Sequence, residues 1–195
     1  TPRHVVNFMI DLVDLNPQDV IFDPTCGTGG FLVASFIKLK SLVGNNTSAL
    51  ENIKKKQIIG TDNEDTGRIP ALAVVNMIFR GDGKSNIYNK DCFTLDKIKD
   101  FKVTKIFLNP PYAKTDDDEP KFIDYSLNEL QPGGLFACVF TYANLGEKSK
   151  ITWRKNLIKQ HKIEAVITML PELFYPTAAP TVVMIARAHV PHSGK

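Results

Sequence analysis

The residues of this chain best suited to chemistry are Asn109, Pro110, Pro111 and Tyr112, which follow an apolar run from Val103 to Leu108. Such a run reads as a buried strand, and the carboxyl ends of strands in open parallel sheets are where ligands bind. The two prolines fix their own φ angles and remove two backbone donors, so the segment is stiff and its carbonyls can point outward. Asn109 adds an amide oxygen, and Tyr112 an aromatic face. Two acceptors and a stacking ring suit a planar, amino-bearing ring such as a nucleobase. An Asn-Pro turn that only ends a strand would use the same four residues, so a second motif has to decide.

That motif runs from Val20 to Leu32: a short apolar segment ends at Asp23, passes Pro24, Thr25 and Cys26, then glycines at 27, 29 and 30, and enters an apolar helical pattern. It reads as strand, glycine turn and helix. Glycine permits positive φ and close approach of a ligand to the backbone, and the helix N-terminus offers free amide groups. The spacing departs from GxGxxG, and no lysine follows as a phosphate-binding loop requires. Asp23 in the turn disfavours a pyrophosphate and favours a cationic ligand. S-adenosylmethionine, with its ammonium and sulfonium, fits better than NAD or ATP.

Together and in this order, the two motifs resemble the N6-adenine DNA methyltransferases, and within them the modification subunit of type I restriction-modification systems. Asp23, Thr25, Cys26, Gly27 and Gly29 lie in a stretch similar to the family's cofactor loop. Asn109, Pro110, Pro111 and Tyr112 resemble its catalytic tetrapeptide. Thr1, Pro2 and Arg3 are similar to a cofactor-contacting element ahead of the glycine loop, and Leu170 to Thr177 with Pro180 to Met184 resembles a late segment of the type I subunits. The resemblance implies an α/β, Rossmann-like S-adenosylmethionine-dependent methyltransferase fold. It also implies double-stranded DNA, a specificity subunit and a restriction subunit as partners. By the same resemblance, Asp91 would accept from the cofactor's adenine amino group beside Cys92, with Phe93 packed against the ring; a turn aspartate and a core phenylalanine are the plain alternative.

The elements needed to position these residues can be read from pattern. Thr1 can cap a helix with Pro2 at its first position, whose face carries Val5, Val6, Met9, Ile10 and Val13, and Asn16 and Pro17 end it. The helix after the glycine turn reaches about Leu42, residues 44–48 form a surface turn, and Lys54 to Lys56 a solvated charged face. Strands are expected at Ile58 and Ile59, Ile87 and Tyr88, Val103 to Leu108, Leu135 to Phe140, Ile163 to Met169 and Val182 to Ala186, the last closing the sheet. A helix carrying Leu72, Val75, Met77 and Phe79 lies between the second and third strands. Alternation of this kind implies a mostly parallel sheet, helices on both faces and an antiparallel strand near the end. Asp62 ends the second strand, where a carboxylate can accept from ribose hydroxyls; a helix N-cap is the alternative role.

Composition sets limits. The 195 residues suffice for one catalytic domain over 1–195 with a full core. Twenty-four Lys and Arg against 21 acidic residues is mildly basic, less than a dedicated nucleic-acid binder carries. Cys26, Cys92 and Cys138 are far apart, which indicates neither a disulfide framework nor a zinc site, and points to a reducing, cytoplasmic compartment. His4, His161, His189 and His192 have no ligand spacing and read as surface residues, so no metal is expected. Trp153 and Phe174 read as packing residues, and Lys114 to Pro120 as an acidic loop. No signal peptide or membrane-spanning run is visible, so no membrane partner is expected. The start at Thr1 suggests an excised fragment, and the resemblance implies a catalytic domain lacking an N-terminal helical region and a DNA-reading component, with weak, salt-sensitive DNA binding. By resemblance, an N4-cytosine methylase would use the same exocyclic-amine chemistry, RNA and protein-glutamine methylases share the Asn109 to Tyr112 tetrapeptide, and a noncatalytic cofactor- and DNA-binding assembly module is a further alternative.

Overall fold

The computed structural model describes residues 1–83, 86–111, 118–174 and 180–193. Tyr112 and residues 113–117 and 175–179 lie outside the described residues, and with them the aromatic member of the expected tetrapeptide. The elements are α1 (Arg3–Val13), β1 (Ile21–Asp23), α2 (Gly30–Val43), α3 (Thr47–Asn52), β2 (Ile58–Asp62), α4 (Arg68–Phe79), β3 (Asn86–Asn89), β4 (Lys105–Leu108), α5 (Asp118–Glu129), β5 (Leu135–Thr141), α6 (Ala143–Gly146), α7 (Ile151–Gln160), β6 (Lys162–Thr168) and β7 (Thr181–Arg187).

Among the described residues one seven-stranded sheet forms in the order β3-β2-β1-β4-β5-β7-β6. The first five of these are parallel neighbours, whereas β7 runs antiparallel to both β5 and β6. The expected antiparallel strand is therefore present, but it does not close the sheet at an edge. It inserts between β5 and β6, with Cys138 opposite Met184 on one side and Val166 opposite Met184 on the other. The chain order reverses between β1 and β4, and such a switch point opens a crevice at the carboxyl ends of the strands.

Side chains alternate across a strand, and the sheet uses that period to build two cores. Ile21, Ile58, Phe107, Ala137, Val139, Val183 and Ile185 face α1, α2 and α4. Phe22, Ile59, Ile106, Leu108, Phe136, Cys138, Val182 and Met184 face α5 and α7. The α1 face is as expected, with Val5, Val6, Met9, Ile10 and Val13 all buried. Its start and end differ: Pro2 occupies the capping position without a side-chain bond, and Asp14 takes a left-handed conformation two residues before Asn16. With the helix starting at Arg3, Thr1 lies one residue before the cap, and its hydroxyl accepts a bond from elsewhere, as described below.

The region between α2 and β2 is more ordered than a turn and a charged face. Asn46 caps α3 through its side chain, which accepts from the Ala49 amide at 3.0 Å. A single π-turn, Ile53–Gln57, follows, and it buries Ile53 and Gln57 while Lys55 and Lys56 stay exposed and Lys54 is partly buried. The Gln57 amide donates to the carbonyls of Pro17 and Asp19 at 2.9 and 2.7 Å, which sews this segment to the entry of β1.

Gly60 in β2 shows how closely the helix layer sits on the strands. A Cβ there would lie 2.5 Å from Leu32 Cδ1 and 3.1 Å from Cys26 Sγ, and Leu32 is fully buried. Gly60→Ala should therefore push α2 and the glycine turn off the sheet and destabilise the domain by about 1–3 kcal/mol, as overpacked cores do. Denaturant titration would measure it, and an unchanged midpoint would show that Leu32 can move aside. No helix of the described residues is long and apolar enough to cross a membrane.

Candidate active site

Two loops meet at the carboxyl ends of β1 and β4. The first begins at Asp23, whose Oδ1 accepts from the Thr25 amide at 3.1 Å. It then folds back through Gly27 and Gly29, at φ +51° and +84°, into α2. Both positions lie in the left-handed region that favours glycine. Gly29 also passes close to α4, where a Cβ would come within 3.3 Å of Ala73 Cβ. The turn is tied to β2 twice: the Cys26 amide donates to the Thr61 carbonyl at 2.9 Å, and the Gly27 amide donates to Asp62 Oδ2 at 2.7 Å.

The second loop is the strand end at Asn109. Its carbonyl accepts from Thr25 Oγ1 at 3.0 Å, which joins the tetrapeptide segment to the glycine turn across 84 positions. Its side-chain nitrogen donates to Thr1 Oγ1 at 2.7 Å. With the nitrogen so engaged, Asn109 Oδ1 is left as the acceptor. Pro110 beside it is buried, and Pro111 is exposed.

A cleft of about 370 Å³ lies where the loops meet, lined by Pro24, Thr25, Asp62, Asn63, Asp91, Cys92, Phe93, Asn109, Pro111 and Phe122. Seven residues singled out from sequence are thus together on its wall. Pro24, Asn63 and Phe122 were missed. The first two are neighbours of chosen residues at strand ends, which is a usable signal, but Phe122 reads from sequence as one more apolar helix position. Asp91 Oδ1 accepts from the Phe93 amide at 3.0 Å, which turns the chain so that Phe93 reaches the cleft. The Phe93 ring stands 4.8 Å from Phe122 and 5.1 Å from Tyr125, with Lys121 Nζ 4.3 Å from its centroid.

Thr1, Arg3 and Gly29 line a second, larger cleft of about 700 Å³ between α1, α2 and α4, together with Asn7, Asn76 and Arg80. Asn109, Asp62 and Asp91 all line the smaller cleft, not this one. Thr1 belongs to both neighbourhoods through its bond to Asn109. Asp23 and Cys26 are buried behind the cleft wall, and Pro2 and Gly27 are partly buried.

Electrostatics concentrate on Asp23. It is 1% exposed, and burial, opposed in part by the Thr25 amide and reinforced by the Asp62 charge, raises its carboxyl from 3.8 to about 8. The Asp62 charge disfavours ionisation of Asp23, and a cation nearby would favour the carboxylate. Burial, then Asp23 and Asp62, pushes the Cys26 thiol far up, and burial with Asp91 pushes Cys92 up to about 12. Neither thiol is a nucleophile at neutral pH.

Other expectations change in the folded chain. Asp62 does not cap a helix: α4 starts at Arg68, and Glu64 accepts from the amides of Arg68 and Ile69 at 2.8 and 3.4 Å. His161 is not a surface residue; it is 4% exposed, and its Nδ1 accepts from the His189 amide at 3.1 Å. Trp153 and Phe174 do pack as expected, Phe174 in one core and Trp153 against the other, where it also donates to Asp124 at 2.9 Å. The acidic run is not wholly loop, because Asp118, Glu119 and Pro120 begin α5 and Glu119 is buried. Among the described residues no group of three or more His, Cys, Asp or Glu is placed to hold a metal ion.

Comparison with known proteins gives the family and the fold. A family model described as N-6 DNA Methylase matches residues 1–193. The chain is 30% identical over 202 residues to the type II restriction enzyme and methyltransferase RM.BcgI of Heyndrickxia coagulans, covering 98% of this chain and 31% of that protein. It is 32% identical over 198 residues to the methylase subunit of the type I restriction enzyme EcoEI of Escherichia coli, covering 90% and 39%. Among solved structures, the M protein of the type I restriction enzyme EcoKI superposes with a TM-score of 0.82 at 22% identity, over 96% of this chain and 43% of that one. The fold is the Rossmann-like fold of class I S-adenosylmethionine-dependent methyltransferases. The chain spans between 31% and 39% of the length of these two curated relatives. With its glycine turn and its Asn109 strand end brought to one cleft and a family model matched over nearly its whole length, the chain belongs to the N-6 DNA methylase family.

Proposed function

We propose that this chain is the catalytic domain of a DNA adenine N6-methyltransferase that uses S-adenosylmethionine, acting as the modification component of a type I restriction-modification system. The observation that carries the reading is the Thr25 to Asn109 hydrogen bond, which holds the glycine turn and the acceptor-bearing strand end at one cleft. The donor set fits the cofactor: buried Asp23 beside Asp62 suits a cation, and Asp62 Oδ1, with Oδ2 taken by Gly27, suits a ribose hydroxyl. Asp91, Cys92, Phe93 and Phe122 form a wall that suits the adenine ring. Thr1, Pro2 and Arg3 then stand nearest the amino-acid end.

When bound, the cofactor supplies a methyl group on sulfonium sulfur, which leaves as a thioether. The chain's own residues prepare the nucleophile. The adenine amine is a poor one because its lone pair is delocalised into the ring. Asn109 Oδ1 and the Pro110 carbonyl accept its two hydrogens, localise the lone pair and orient it toward the methyl group. The nitrogen gains one carbon bond and gives up one proton, which passes to solvent. Thr1 holds the Asn109 amide in the orientation that presents oxygen. Tyr112 is proposed to stack on the base, which must leave the duplex to be reached.

Partners follow the same reading: double-stranded DNA, a specificity subunit and a restriction subunit. The likeness to RM.BcgI favours a second reading, in which restriction and modification share one polypeptide. The mass of the native full-length protein, and whether it cleaves DNA without added subunits, separates the two.

Calorimetric titration with S-adenosylmethionine tests the cofactor. We expect Asp62→Ala to weaken binding at least tenfold, since a charged hydrogen bond to the ligand and the tether to the Gly27 amide are lost together. Equal affinity in wild type and variant would remove Asp62 from the site. ATP and adenosine titrated in parallel should bind more weakly than the cofactor.

A further inference from the structure

Glu119 stands in the first turn of α5 and is 2% exposed. A single carboxyl oxygen, Oε2, accepts from the Thr141 amide at 3.2 Å, from Thr141 Oγ1 at 2.7 Å and from Asn144 Nδ2. Asn144, 5% exposed, also donates to Thr141 Oγ1 at 3.0 Å, and its carbonyl accepts from Arg154 Nη1 at 2.9 Å. The start of α5 is thereby fastened to the carboxyl end of β5 and, through α6, to α7. A carboxyl group withdrawn from water needs its lone pairs occupied, and an apolar side chain would fill the same volume without that demand. Directional bonds, unlike apolar contact, fix where the helix begins.

What α5 carries next explains why its place matters. Phe122, one turn on from Glu119, lines the cleft, and Lys121, Phe122 and Tyr125 surround the Phe93 ring on the same wall. Residues three apart on a helix share a face, so a shift at Glu119 moves Phe122 with it. The β5 end that anchors Glu119 neighbours β4, whose last residue precedes Asn109. The aromatic wall and the acceptor side of the cleft are thus referred to adjacent strand ends.

We propose that Glu119 is a positioning residue: by bolting the start of α5 to Thr141 and Asn144, it holds Phe122 and Phe93 at the spacing that receives a planar ring. The inference rests on the reading of this cleft as the seat of the cofactor. The test is a double-mutant cycle in the full-length protein, with S-adenosylmethionine affinity measured for wild type, Glu119→Gln, Phe122→Ala and the pair. Gln presents an amide where donors already point. Glu119→Gln is expected to weaken binding about 3- to 10-fold, the range of one aromatic contact. The pair should be no weaker than Phe122→Ala alone by more than about twofold, because coupled residues do not add. The Thr141 amide should also exchange faster in Glu119→Gln.

Should Glu119→Gln fail to fold, Thr141→Val, which removes only the hydroxyl donor, takes its place in the cycle. Unchanged affinity, or losses that add, would overturn the positioning role and leave Glu119 a structural residue. No binding by wild type would overturn the cofactor reading and this inference with it; wild-type binding with unaltered variants would overturn the inference alone.

Discussion

Asn109→Ala is expected to lower methyl transfer by at least about 10²- to 10³-fold, the usual cost of removing one group aimed at a transition state, while cofactor affinity stays within about threefold of wild type. The separation follows from which atoms of Asn109 do what. Its backbone carbonyl, which accepts from Thr25 Oγ1, survives the substitution and keeps the glycine turn in place. Its side-chain oxygen, the proposed acceptor for the base, is lost. Asn109→Asp is a sharper probe. The Thr1 hydroxyl can turn and donate to the carboxylate, so the side chain stays placed, but a full charge now faces the base and the amide dipole is gone. Single-turnover methylation of duplex DNA by the full-length assembly, alongside calorimetry, reads both quantities. Transfer by Asn109→Ala near the wild-type rate would remove Asn109 from the chemistry.

The second large effect is a pH dependence of cofactor binding centred on Asp23. Burial and the Asp62 charge raise its folded pKa from 3.8 to about 8, so the free protein carries a proton there at pH 7. The folded state binds more protons than the unfolded chain between these two values, so this group's contribution to stability falls as pH rises through that window. A cationic ligand reverses the preference: it selects the carboxylate, and the proton is expelled on binding. Below the Asp23 pKa, and below about 7.7 where an α-amino group stays charged, affinity should rise by up to about tenfold per pH unit. From pH 5.5 to 7 this amounts to about 30-fold. Calorimetry at pH 7 in buffers of different ionisation enthalpy should count close to one proton released. Asp23→Asn should flatten the profile and bind weakly throughout. A wild-type affinity independent of pH over this range would show that Asp23 binds the ligand in the state it already holds.

The local order of the chain is legible because it is written in short-range periods. The apolar alternation of β4 and β5, the 3–4 spacing of the α1 face, and the glycines at 27 and 29 each report on a few neighbouring residues. Strand ends then follow, and with them Asp23, Asp62, Asp91 and Asn109. Boundaries shift by one to a few residues for the same reason: Asp14 ends α1 by its own left-handed conformation, which no spacing announces. The six residues of α3 and the π-turn are too short to show a period, so they read as turn and solvated charge.

Several features exist only once distant segments meet. The insertion of β7 between β5 and β6 depends on which strand edges remain open after the parallel sheet has formed, and an apolar run fits either place. The Thr1 to Asn109 bond spans 108 positions. Glu119 looks like one more charge in an acidic run, and His161 like a helix-end surface residue; both are buried by neighbours that arrive from other elements. Phe122 has a pattern indistinguishable from core until the cleft gives it an open face. By itself the sequence determined the fold class, the two motifs and the carboxylates at strand ends, since these rest on local stereochemistry and period. Tertiary structure alone decided the strand order, the orientation of the Asn109 amide and the anchoring of the aromatic wall, because each depends on long-range closure that no local pattern encodes.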